Sequence, residues 1–129
     1  MSYYFSKTID KDFDKAVLSV KKSLKEEGFG VLFELDMQKT FKEKIGAEMN
    51  KYLILGVCNP NFGFKALQTE PNIGTMIPCN VVVRELTDKK VEISAINPVA
   101  QMSIVDNEEL INLAKEIQKK LSKIIHQLE

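Results

Sequence analysis

The apolar positions change their period several times along the chain, and each change predicts an element. Tyr3 to Ile9 is a short aromatic-rich run ahead of an Asp cluster, the pattern of a strand that ends where a helix is capped. Phe13, Val17, Val20 and Leu24 then recur at helical spacing beside Ala16, with Lys15, Lys21, Lys22 and Lys25 on the other face. Asp10 or Asp12 is the expected N-cap and Gly28 the left-handed stop, and acidic start and basic end both suit the helix dipole. Phe29 to Leu35 predicts a second strand, and Asp36 a cap for a short helix through Phe41 and Ile45 that stops at Gly46. Tyr52 to Cys58 is apolar on both registers, which predicts an interior strand. Asn59 and Pro60 suit the cap and first residue of a helix with Phe62, Ala66 and Leu67 toward the core, ending near Glu70 because Pro71 disfavours a helical residue before it.

A turn through Asn72, Ile73 and Gly74 leads to Pro78, Cys79 and Asn80. Val81 to Leu86 and Val91 to Ile96 then read as a hairpin about Thr87 to Lys90. Asn97 and Pro98 end that strand, and a loop containing Met102 leads to the last helix. There Asp106 with Glu109 resembles a capping box, followed by an apolar stripe of Leu110, Leu113, Ala114, Ile117, Leu121, Ile124 and Leu128.

Two long amphipathic helices in such an order need one sheet to cover. The economical solution is an α+β two-layer domain spanning residues 1–129, a mostly antiparallel sheet with both long helices on one face and short helices inserted between strands. The other face is then left without a helix. Apolar residues on both registers of the inner strands predict that it is not simply wet, and a homodimer using part of that face or its edge is the expected assembly.

Composition narrows the partners. At 129 residues the chain is long enough to bury roughly two thirds of its unfolded surface without staples. Eighteen basic residues balance eighteen acidic ones, so no basic field attracts nucleic acid or anionic lipid, and no apolar run approaches a membrane span. The start, MSYYFSKTID, lacks an apolar signal core behind a basic flank, which predicts a cytoplasmic protein with two free thiols.

No catalytic or cofactor-binding motif of known mechanism is present, so neither a reaction nor a cofactor is named. The candidate chemistry lies at two corners. If the strands holding Leu55 and Val82 are antiparallel, Cys58 and Cys79 share one rim of the sheet, and Cys58 precedes a helix N-terminus that would stabilise a thiolate. Glu70 is expected on the same rim, giving a small candidate pocket of Cys58, Asn59, Glu70, Cys79 and Asn80. Against this stands the plainer reading of buried, inert cysteines, asparagines that cap or turn the backbone, and a glutamate bonding exposed amides. No metal site is expected, since the two cysteines lack Cys-x-x-Cys spacing and the one histidine, His126, lies near the end of the last helix.

The run ILGVCNP, then ALQTEP, then IPCNVVV, resembles the family known as domain of unknown function 302, over nearly the whole chain. The resemblance implies a fold similar to that of the TATA-binding protein, a strand, a helix, four strands and a helix, often as a dimer, and it implies no activity. Gly63 stands where relatives more usually have alanine. Two functions are carried forward. The first is a homodimeric binding or structural module with a small-molecule ligand or partner at the rim, and the second a thiol-dependent redox or metal-handling protein using Cys58 and Cys79.

Overall fold

The computed structural model describes residues 2–129. The chain runs β1 (Tyr4–Asp10), α1 (Phe13–Glu26), β2 (Gly30–Asp36), α2 (Met37–Ile45), β3 (Tyr52–Cys58) and α3 (Pro60–Thr69). After a 3-10 turn over Pro71–Thr75 come β4 (Cys79–Thr87), β5 (Lys90–Ile96), the short α4 (Pro98–Met102) and α5 (Glu108–Gln127). All five strands form one antiparallel sheet in the order β1-β5-β4-β3-β2, so the α+β architecture follows the predicted one. Among the described residues no helix is long and apolar enough to cross a membrane.

One face of the sheet makes the core. Leu55 and Val57 of β3, Val81 and Val83 of β4, and Val91, Ile93 and Ala95 of β5 are buried against α1 and α5. From α1 come Ala16, Val17, Val20 and Leu24, four residues on one helical stripe. From α5 come Leu110, Ala114, Ile117, Leu121 and Ile124, joined by Ile125, while Leu113 is only half-buried. Strand side chains alternate between faces, so the intervening residues of β3, β4 and β5 point to the opposite, open face, where all but Gly56 stay half-buried or exposed.

Local signals fix the ends of the elements. Gly28 takes φ 85°, a left-handed turn that lets the Phe29 amide return to the Leu24 carbonyl at 2.9 Å and closes α1. At the start of α1, Asp12 is the N-cap by position, but its carboxylate caps no amide. Asp36 caps α2 through the Lys39 amide, and Asn59 caps α3 through the Phe62 amide at 3.4 Å.

Three details depart from the sequence reading. Leu67 is exposed, because the core stripe of α3 is Phe62, Gly63 and Ala66, and one further residue rotates the side chain off it. The stretch after β5 is not a plain loop but α4, capped by Asn97, whose carboxamide oxygen accepts from the Val99 amide at 3.1 Å and the Ala100 amide at 3.5 Å. The cap of α5 is Asn107, one residue later than Asp106. Its oxygen accepts from the Leu110 amide, and its nitrogen donates to the Thr69 carbonyl at 3.2 Å and to Glu70 Oε1 at 3.3 Å.

Candidate functional site

The antiparallel pairing of β3 with β4 sets Val57 opposite Cys79, which brings the two cysteine corners to one rim. Cys58, Asn59 and Cys79 line a common crevice with Phe62, Gly63 and Ile117, but its volume is only about 10 Å³. That is the least space that accommodates one water, so no ligand enters. The packing is tight enough that a β-carbon added at Gly63 would lie 2.8 Å from Cys58 Sγ. Alanine at this position therefore requires the thiol to shift.

The electrostatics run against thiolate formation. Burial raises the Cys58 thiol above its ordinary value, and Cys79 is pushed up to about 12, first by burial and then by the neighbouring Cys58. At the α3 N-terminus the Phe62 amide is already taken by the Asn59 carboxamide. Among the described residues no three of His, Cys, Asp and Glu gather closely enough to hold a metal ion.

The five proposed pocket residues do not share one cavity. Glu70 turns toward the start of α5, where it accepts from Asn107. Asn80 sits opposite Gly56 across the β3–β4 ladder, one residue on from Cys79, and the two-residue period of a strand sends its side chain to the open face.

That open face holds a recess larger than the cysteine crevice, a concavity of about 360 Å³ that the sequence reading did not contain. Register explains its shape. One transverse row carries the long side chains of Tyr52, Arg84 and Glu92, paired in turn across β3, β4 and β5. The next row carries Ile54, Val82, Ser94 and Ser6, whose β4, β5 and β1 members are short. Beyond them, Asn80 and the Tyr3–Tyr4 pair, with ring centroids 4.8 Å apart, close the far side. A floor of short residues between two taller rows makes a saddle. Arg84 Nε donates to Glu92 Oε1 at 2.7 Å across its end.

The half of the open face nearer β2 is apolar instead. Phe33 pairs with Gly56 and Leu35 with Ile54. A β-carbon at Gly56 would fall 2.3 Å from the Phe33 ring, so this glycine is what lets the ring lie flat on the strand. Leu32, Phe33 and Leu35 remain exposed at 62%, 39% and 47% on an edge strand, and α2, which packs on β2 and β3, adds exposed Phe41 and Ile45 one helical turn apart.

No curated protein matches the chain. It is similar to the crystal structure of an uncharacterized conserved protein DUF302 from Bacillus stearothermophilus, over 100% of both chains with a TM-score of 0.91 and 23% sequence identity, a likeness of fold. The family described as Domain of unknown function DUF302 matches residues 5–128, which takes in every strand but the first residue of β1 and all five helices. With the motif-bearing corners and the whole sheet inside that match, the chain belongs to the family described as Domain of unknown function DUF302.

Proposed function

We propose that this chain is a non-catalytic binding or structural module that works as a homodimer, with the open face of its sheet as the working surface. The fold is taken as similar to that of the TATA-binding protein, on the element order of one strand, a long helix, four strands and a long helix. The observation that carries the reading is the division of the open face into an apolar half at β2 and β3 and a recessed, polar half at β4, β5 and β1. A second copy is the partner for the apolar half. A twofold contact places Leu32, Phe33 and Leu35 against the same residues of the other chain, and the outer edge of β2 has ladder groups that no strand among the described residues pairs.

The thiol-dependent alternative has the local chemistry against it, since both thiols are raised and their crevice is closed. The test of the dimer is sedimentation equilibrium at tens of micromolar. The expected mass is twice that of one chain, and Leu35→Glu is expected to give a folded monomer because it sets two carboxylates in the apolar contact. A wild-type chain that stays monomeric would overturn the dimer.

A further inference from the structure

We infer that the saddle on the open face is a binding site for a small, planar, uncharged nitrogen heterocycle that carries an N–H beside a carbonyl, as in a lactam. This rests on the reading of the chain as a binding module and is independent of its being a dimer.

Size comes first. A recess of about 360 Å³ lies at the lower end of the range for small-molecule sites, roughly 300 to 1,000 Å³. Its floor of Val82 and Ser94 is shallow and its walls are aromatic, Tyr52 at one end and Tyr3 with Tyr4 at the other. Such walls favour a flat body that offers its faces or edges to the rings.

The polar groups then choose the edge of that body. Arg84 and Glu92 are joined by one bond, from Nε to Oε1. The terminal guanidinium nitrogens and the second carboxylate oxygen make no hydrogen bond or ion pair within the described residues, so a donor and an acceptor stand side by side. A lactam edge meets both at once, its carbonyl accepting from Arg84 and its N–H donating to Glu92. The pair cancels its own charge, which removes the attraction for an anion or a cation that either residue alone would have. Within the described residues the side chains of Asn80 and Ser94 bond to nothing else, and both line the recess for further polar atoms of the same ligand.

The experiment is a titration of the isotope-labelled full chain with xanthine, at mildly acid pH where it is neutral, against caffeine, the same bicycle with every ring N–H methylated. Amide shifts are followed by NMR. Xanthine is expected to move the amides of Val82, Glu92 and Ser94, and caffeine to bind about tenfold more weakly, the scale of one lost hydrogen bond to a charged group. Glu92→Ala is expected to bring xanthine down to the caffeine level. Ser94→Leu fills the floor at a half-exposed position and is expected to abolish both while the spectrum stays folded.

Equal binding of the two probes would overturn the donor–acceptor assignment. No shift at these amides, or shifts only at the Cys58 corner, would overturn the site. Failure of the dimer is read separately by sedimentation, and a null titration leaves the dimer standing.

Discussion

Cys79 is 4% exposed and lies across the ladder from Val57, so burial leaves its sulfur little solvent to stabilise a charge. Its thiol is pushed from 9.0 to about 12, and the sign of the consequence follows. A group raised on folding contributes stability that is complete below its unfolded value and is lost as pH climbs through its folded one. The urea midpoint is therefore expected to fall between about pH 9 and 12, and to fall less steeply in Cys79→Ala, which has no thiol to ionise. Parallel slopes for the two proteins would mean that the buried sulfur does not titrate with unfolding. The sequence put both cysteines on one rim, and the β3–β4 register sets them along a common crevice. The sequence could not supply their pKa direction, because that depends on how tightly Phe62 and Gly63 of α3 and Ile117 of the distant α5 close over them together.

Helix ends show how one residue of offset escapes a sequence pattern. Both Asp106 with Glu109 and Asn107 alone are acceptable starts for α5. What decides is a long-range contact, since only a carboxamide can cap the Leu110 amide and also donate to the Thr69 carbonyl at the end of α3. Asn107→Ala is expected to cost about 1 to 2 kcal/mol in urea unfolding, and Asp106→Ala less than about 0.5. The reverse ranking would return the cap to Asp106. Asn97 escaped in the same way. It reads as a strand terminator, yet it is buried, and besides capping α4 it accepts from Gln118 and donates to the Ser2 carbonyl. Those partners lie far from it in the chain, and no local pattern announces them.

For the molecule as a whole, the element order and the composition of the core were legible, because period-2 and period-3.6 patterns report which face of each element is buried. The stripe on α5 shows the resolution of that reading. Ile117 is 3% exposed while Leu113 is half-buried, so Ile117→Ala is expected to cost about 2 to 5 kcal/mol and Leu113→Ala clearly less. Equal losses in chemical unfolding would mean that both side chains are equally enclosed. The saddle was not legible. It is made by rows that run across strands, Tyr52 to Arg84 to Glu92 and then Val82 to Ser94 to Ser6, and a row exists only once every register is fixed.

The strand order has a further consequence, for the timing of assembly. β1 lies beside β5 and, among the described residues, bonds to no other strand, with Tyr4 opposite Ile96 and Asp10 opposite Lys90. During synthesis from the N-terminus, the first strand made has no edge to join until more than eighty further residues have been added. The other four strands follow one another as neighbours and meet no such wait. The two tyrosines at the head of β1 therefore reach the sheet only after β5 has been made, and the aromatic wall they supply is complete only then.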